Sequence, residues 1–336
     1  MSEIRLVLCG VGSVGRNVAR LVLSRQGGDV VAAYSRNPAL RGSDIGELAG
    51  GEPVGVTVTD RETALATPAD VLLIATTSFI AEVADDIAAG VDAGLNVMCT
   101  AEEMGYAWAI DPGFSADIDA AARQAGVTVM GAGANPGYIY EVLGLALTSA
   151  AARVDRIEVR RVVDLSRFSG TVQRRLGLGF EPDDHAAGVA AGRIYGHIGY
   201  PHTMRTFARR FGRTVERFTE TIDPIPAPGA IDSVAVPIGP GQSAGFEQVT
   251  SGYTDDGDEP WFRATFLGHV DLASIGLAPE DSYNVIGDPD LHAVVRPGFN
   301  PQATTMAVLG NAIPHVVAAP AGLISITDLP IPAPWG

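Results

Sequence analysis

The chain of 336 residues carries a formal charge of −16, from 39 acidic and 23 basic side chains. A surplus of this sign speaks for no nucleic acid and no anionic membrane surface as partner, because both are bound by a basic face. All 23 basic residues are arginine, and without lysine neither Schiff-base chemistry nor a dehydrogenase built on a lysine acid or base is open to it.

Ile4 to Cys9 is a mostly apolar run, expected to form a buried parallel strand. It breaks at Gly10-Val11-Gly12-Ser13-Val14-Gly15, after which Val14, Val18, Leu21 and Val22 mark one face of a helix. A G-x-G-x-x-G that follows a strand and opens a helix is a dinucleotide fingerprint, in which backbone amides and the helix dipole receive a pyrophosphate. Gly10, Gly12, Ser13, Val14 and Gly15 are therefore expected to hold the cofactor. The second strand, Asp29 to Tyr34, ends in Ser35-Arg36-Asn37, where an acid would bind the ribose 2′-hydroxyl of NAD. No acid stands there. Ser35, Arg36 and Asn37 suit a 2′-phosphate, with Arg41 as a second cation, so NADP(H) is favoured and NAD(H) is the alternative.

Val54 to Thr59 reads as a third strand and Asp70 to Ser78 as a fourth that runs into small hydroxyl residues. Ligands of an open parallel sheet lie beyond the carboxyl ends of its strands, so Thr76, Thr77 and Ser78 should line the crevice. Helices at 80–94 and 112–124 alternate with strands Leu95 to Thr100 and Val127 to Met130, which predicts an α/β fold, a Rossmann-type doubly wound parallel sheet. Asn135-Pro136 has the residue types of an N-cap and first turn for a helix running to about Ser149; its place beyond a strand end makes Asn135 equally a cofactor contact.

The pattern then changes. A strand at Ile157 to Val163, helices at 183–192 and 201–211, a Pro/Gly-rich ordered connection at 223–242 and strands near 244–251, 261–270 and 291–296 predict an inserted α+β domain with an antiparallel or mixed sheet. An apolar helix from Asn300 to about Ala318 should return to the first domain. The expected division is 1–135 plus about 300–336 for the dinucleotide and 136–299 for substrate and dimerisation. An exposed face or edge of the second sheet would pair two copies into a homodimer. No apolar run reaches membrane length, no signal-like segment opens the chain, and Cys9 and Cys99 read as core residues, so a cytoplasmic protein is expected.

Hydride transfer calls for an acid or base near the nicotinamide. The sharpest candidates are Glu102 and Glu103, which follow the fifth strand at the crevice end. In an extended segment neighbours point to opposite sides, so one of the two should face the site. A solvated pair opening a loop is the plainer reading. All six histidines lie after residue 184. His197, among glycines in Tyr195-Gly-His-Ile-Gly-Tyr-Pro-His202, is the best placed, and His269 is a further candidate. No histidine and carboxylate spacing suggests a metal site, so no metal is expected.

Gly10-x-Gly-x-x-Gly15, Gly42-Ser-Asp-Ile-Gly-Glu-Leu48, Ala75-Thr-Thr-Ser78, Glu102-Glu103-Met-x-Tyr106 and Gly133-Ala-Asn-Pro-Gly-Tyr138 occur in that order. Arg161-Val-Val-Asp164, Gly196-His-Ile-Gly199 and Asn311-Ala-Ile-Pro314 follow. Together, over nearly the whole chain, they resemble the 2,4-diaminopentanoate dehydrogenase family, which includes the native amine dehydrogenases and is structurally related to dihydrodipicolinate reductases. The resemblance implies reversible reductive amination of an aldehyde or ketone by ammonia, with NAD(P)H as hydride donor and a glutamate of the Glu-Glu motif as acid/base. That role falls on Glu102 or Glu103, with Glu102 favoured. It also implies a small carbonyl or amine substrate, Asn311 as a further cofactor contact, and an apolar pocket drawn from Tyr138, Phe168, Leu176, His197 and Thr304. The paired histidines and downstream lysine of dihydrodipicolinate reductases are absent. Tyr200-Pro201-His202 stands where the diamine enzymes are expected to have Leu and an acid, which disfavours a diamino acid substrate. The rival readings are an NAD(P)-dependent alcohol or hydroxy-acid dehydrogenase on the same fold, and a non-catalytic cofactor-sensing protein.

Overall fold

The computed structural model describes residues 3–232, 235–254 and 258–335. In chain order the first elements are β1 (Ile4–Cys9), α1 (Ser13–Leu23), β2 (Gly28–Tyr34), α2 (Ile45–Leu48), β3 (Val58–Thr59), α3 (Arg61–Leu65), β4 (Val71–Ile74), α4 (Ile80–Asp92), β5 (Asn96–Cys99), α5 (Ala107–Ile110), α6 (Pro112–Ala125) and β6 (Thr128–Gly131). After an irregular stretch come α7 (Leu143–Thr148), β7 (Arg153–Asp164), α8 (Gly170–Arg175), α9 (Pro182–Ala190), α10 (Tyr200–Arg210), β8 (Arg217–Pro226), β9 (Ser243–Tyr253), β10 (Phe262–His269), β11 (Glu280–Asp288) and β12 (Leu291–Val295). The chain closes with α11 (Pro301–Val317) and β13 (Gly322–Ser325). It forms two compact units, Met1–Leu143 with Asn300–Gly336, and Gly144–Phe299. Among the described residues no helix is long and apolar enough to cross a membrane.

The first unit is an α/β layer structure around a seven-stranded sheet of order β13-β6-β5-β4-β1-β2-β3. All its pairings are parallel. Its strands are apolar throughout because both faces are covered. Leu6, Leu8, Leu73, Met98 and Met130 face α1 and α11, where Val18, Val22, Leu309 and Ile313 meet them. Val7, Cys9, Leu72, Ile74, Val97 and Val129 face α4 and α6, where Val83, Ile87 and Ile118 fill the other side. The chain leaves β1 towards β2 and β3, then comes back to lay β4 on the other flank of β1. The strand order therefore reverses at the β1/β4 boundary, where an open α/β sheet gapes beyond its carboxyl ends.

The second unit is built on a six-stranded sheet of order β12-β11-β7-β10-β9-β8. β7 and β10 run parallel and the other pairings are antiparallel, so the sheet is mixed.

The structure departs from the sequence pattern in several places, β11 and β13 among them, which no expected strand covers. The third strand shrinks to Val58–Thr59. The Pro/Gly-rich connection begins later than expected, because 217–226 is strand β8; Pro224 and Pro226 are accommodated since β8 is an edge. Ser233 and Val234 of that connection lie outside the described residues. Asn135-Pro136 does not start a helix. Its peptide bond is cis, Asn135 is extended (φ −159°, ψ 118°), and the regular helix α7 begins only at Leu143.

Candidate active site

The loop after β1 fits a dinucleotide, glycine by glycine. Gly10 has φ +90°, and a Cβ on it would lie 2.6 Å from the Ala75 carbonyl oxygen. A Cβ on Gly15 would lie 2.0 Å from the Gly10 carbonyl oxygen, so the first turn of α1 can seat against the strand only with glycine there. Gly12 differs: a Cβ on it would meet nothing within 4 Å. It is the N-cap of α1, no side chain caps that end and no acid stands in the first turn, so the leading amides and the positive dipole end face open space. Ser13 and Val14 form the opening of the helix. An open, uncapped, acid-free helix start is what a pyrophosphate requires.

Beyond the strand ends lies a cavity of about 300 Å3 lined by Val14, Thr76, Thr77, Glu102, Asn135 and Thr305, with Ala75, Ser78, Thr100, Gly133, Ala134 and Pro136 completing the wall. Glu102 is its acid. It opens a short 3₁₀ turn, Glu102–Tyr106, and the Ser78 hydroxyl donates to its Oε1 at 3.2 Å. Glu103 points elsewhere. Its Oε2 accepts the Ile80 N–H at 2.7 Å, at the start of α4, an end that its own N-cap Phe79 leaves uncapped. The neighbours part as expected, although the backbone there is a tight turn and not an extended segment. Asn135 Oδ1 is buried among these walls without a hydrogen-bond partner, a ready acceptor for an amide donor of a bound cofactor. Among the described residues no cluster of three or more His, Cys, Asp or Glu could hold a metal ion.

A second cavity, of about 450 Å3, opens at the end of β2, lined by Ser35, Arg36, Arg41, Asp60, Arg61 and Glu82 together with Tyr34, Ala81, Asp85 and Asp86. It is the place where the ribose of a dinucleotide on α1 would fall. Arg36 is held by Asp86 at 2.7 Å, a hydrogen bond that lifts its guanidinium above the ordinary arginine range. Asn37 is turned to backbone work: its side chain accepts from Ala39 N–H, and its own N–H donates to Ser35 Oγ at 3.1 Å.

A family model described as the 2,4-diaminopentanoate dehydrogenase C-terminal domain matches residues 138–335, more than half of the chain. The chain belongs to the 2,4-diaminopentanoate dehydrogenase family. Residues 4–95 match the model of the dihydrodipicolinate reductase N-terminus. The 2,4-diaminopentanoate dehydrogenase of Acetoanaerobium sticklandii is 29% identical over 99% of this chain and 95% of its own. The amine dehydrogenase of Streptomyces virginiae is 25% identical over 98% and 96%. The solved amine dehydrogenase of Mycobacterium smegmatis superposes with a TM-score of 0.82 at 27% identity, over 98% and 96% of the two chains. A myo-inositol 2-dehydrogenase from Lactobacillus plantarum, 14% identical with a TM-score of 0.59, shares the fold. This member of the family is thus a nicotinamide-dependent oxidoreductase acting on CH–NH2 groups.

Several residues singled out from the sequence are engaged in contacts of their own. Asn311 accepts from Arg25, which sits just past the C-terminal end of α1. Eleven helical residues, about 16 Å of rise, separate that end from the glycine loop, so Asn311 fastens α11 to α1 and does not reach the phosphates. Thr304 yields its place to Thr305, which lines the cavity and accepts the Ala134 N–H at 3.2 Å. Tyr138 packs against the core of the first unit. In the second unit Leu176 is 5% exposed inside an apolar core, and Phe168 packs on the same cluster, so both serve packing. His197 has its backbone gripped by Gln248, whose amide accepts its N–H at 2.8 Å and donates to its carbonyl at 2.9 Å; its ring stands edge-on to Tyr200. His269 is fully buried, and its Nδ1 accepts the Asp271 N–H at 2.9 Å. Cys9 and Cys99 are buried free thiols, each pushed up to about 12 by burial, and so inert as nucleophiles. Thr100, Thr305, Arg61 and Asp86 went unnoticed in the sequence; none sits in a motif, and helix phase alone distinguishes Thr305 from Thr304.

Proposed function

We propose that this dehydrogenase interconverts small carbonyl compounds and primary amines by reductive amination with ammonia, with NADP(H) preferred over NAD(H). The observation that carries the reading is Glu102, among the described residues the one carboxylate lining the cavity at the β1/β4 switch point, held by Ser78. The bound nicotinamide supplies or takes the hydride at the reacting carbon.

The chain's own residues do the proton work. The Glu102 carboxylate accepts the extra proton of an ammonium ion, leaving ammonia free to add to the carbonyl. It then returns a proton to the hydroxyl of the carbinolamine, which leaves as water, and the carboxylate steadies the iminium cation that results. In the oxidative direction the same carboxylate takes the proton of the incoming ammonium form of the amine, releases it to solvent, and then accepts a proton from the water that adds to the iminium, passing it to the departing ammonia. Ser78 keeps one carboxylate oxygen oriented while the other works.

One sequence feature supports simple substrates over diamino acids. Tyr200-Pro201-His202 stands at the start of α10, and both Tyr200 and His202 are buried within the second unit, so neither offers an exposed charge to a substrate ammonium. NADP(H) is supported by the absence of an acid at the end of β2 and by Arg36 and Arg61 beside the second cavity. The buried free thiols accord with work in the cytoplasm.

The deciding experiment follows nicotinamide absorbance during carbonyl reduction with and without ammonia. Turnover that needs ammonia is expected. Turnover without it would make the protein an alcohol or hydroxy-acid dehydrogenase.

A further inference from the structure

Asp86 has no part in the chemistry, yet it is the most connected side chain beside the second cavity. It lies on α4, its side chain 5% exposed. From below, the Tyr34 hydroxyl donates to its Oδ1 at 3.2 Å, and the Cys9 thiol lies 3.8 Å from Oδ2. From above, Arg36 Nη2 donates to Oδ2 at 2.7 Å and Arg61 Nη1 stands 3.5 Å from Oδ1. Both arginines are about half exposed on the cavity side, with relative side-chain exposures of 53% and 51%. Burial raises the Tyr34 phenol far above its usual range, so it stays a neutral donor and adds no charge.

One carboxylate thus holds two guanidiniums that come from separate elements, one after β2 and one at the first position of α3. Arg36 is held further through the Glu82 carbonyl, which accepts from the same Nη2. Both contacts of Arg36 are made by Nη2, which leaves N–H donors on Nε and Nη1 for a further partner. The triad itself carries one net positive charge and Arg41 adds another, against Asp60, Glu82 and Asp85 on the same lining, while Cys9 and Tyr34 lie beneath the carboxylate. Two long side chains immobilised in advance lose less entropy when an anion arrives. A phosphate monoester, with its oxygens fanned out, can accept from single N–H donors of two guanidiniums at once.

We propose that Asp86 is a specificity-determining positioning residue, which fixes Arg36 and Arg61 as a preformed two-guanidinium receptor for the 2′-phosphate of NADP(H). This rests on the cofactor preference proposed above and goes beyond it. Arg36 alone, a flexible surface arginine, would bind the phosphate weakly; the selectivity comes from the buried acid behind it.

The test uses binding without turnover. Isothermal titration of the full-length protein with adenosine 2′,5′-bisphosphate and with AMP reads the 2′-phosphate separately from the rest of the nucleotide. The wild type is expected to prefer the bisphosphate. In Asp86→Asn, which keeps the size of the side chain, that preference should fall by roughly tenfold, the scale of one lost charge-assisted hydrogen bond, with AMP affinity unchanged. Asp86→Glu should recover part of it. Arg61→Gln, an exposed change that spares the core, should lower the preference to a similar degree. An Asp86→Asn protein that retains the full preference, or that loses both ligands equally, overturns the inference, and so does an Arg61→Gln protein with wild-type preference. A wild type without preference for the bisphosphate would instead overturn the NADP(H) reading itself.

Discussion

The Ser78 hydroxyl stands 3.2 Å from Glu102 Oε1, so a residue that follows β4 orients the acid that follows β5. Glu102→Gln keeps the shape of the side chain and removes its charge. Turnover should fall by about 10²–10⁴-fold, the usual weight of a positioned acid/base, with cofactor affinity little changed. Ser78→Ala should cost about tenfold at most, the scale of one hydrogen bond. Steady-state kinetics beside a fluorescence titration of cofactor separates the two effects, and a Glu102→Gln protein with normal turnover would remove Glu102 from the chemistry.

Glu103 is expected to behave in the opposite way. Its carboxylate accepts the Ile80 N–H at 2.7 Å, supplying from a distance the capping hydrogen bond that the N-cap residue Phe79 cannot make. Glu103→Ala should lower stability by about 1 kcal/mol, as the loss of a helix cap does, and leave turnover of the folded protein near normal. Thermal melts with activity assays on the same samples decide this. Loss of turnover without loss of stability would transfer the catalytic role to Glu103.

The glycine loop gives a paired prediction. Gly12→Ala adds a methyl group to empty space, so the apo protein should keep its melting temperature while cofactor affinity drops, if the pyrophosphate occupies that space as proposed. Gly15→Ala drives a Cβ to 2.0 Å from the Gly10 carbonyl oxygen and should cost about 2 kcal/mol or more of stability through overpacking. Melting temperatures without cofactor, and dissociation constants for it, would separate a ligand-seating glycine from a packing one.

Arg161 and Asp281 face each other across β7 and β11, 4% and 1% exposed and 3.0 Å apart. The Phe299 N–H completes the site by donating to Asp281 Oδ2. Arg161→Ala leaves a buried charge uncompensated and should destabilise by about 3–5 kcal/mol. Arg161→Met combined with Asp281→Leu should recover much of that loss, because two apolar groups need no partner. Urea midpoints of the three proteins test it; a double variant no better than Arg161→Ala would contradict the account.

Burial depresses the pKa of both His185 and His269 below the ordinary 6.5. Below 6.5 the unfolded chain therefore takes up protons that the folded one refuses, and stability falls as pH drops through the interval between the unfolded and folded values. Neither nitrogen of fully buried His185 has a hydrogen-bond partner, so His185→Leu should flatten that acid-side slope with little loss at pH 8. Urea titrations between pH 8 and 5 measure the slope, and an unchanged one would exclude His185 as its source.

Where period and chemistry are local, the sequence was enough. The apolar runs of β1 and β4, the glycine spacing and the 3.6-residue pattern of α1 all lie within short windows, and the parallel layer they announce is the one that forms. Family membership was equally legible, since it rests on an ordered set of such windows. Elements whose residues look wrong for their state were hidden. β8 carries two prolines that only an edge tolerates, and β11 buries Asp281 because Arg161 waits opposite.

At the site, the sequence by itself determined that a glycine-rich turn follows β1 and that two adjacent glutamates follow β5. It could not divide their labour. That Glu102 lines the cavity while Glu103 caps α4 depends on where Ser78 and Ile80 come to lie, both more than twenty residues away in the chain. Likewise Asn311 and Thr304 were plausible by motif and composition, and helix phase turned one towards Arg25 and put Thr305 in place of the other. The residue types set what chemistry is available. Side-chain direction is a property of packing, and only the tertiary structure fixes which acid meets the crevice and which meets a backbone amide.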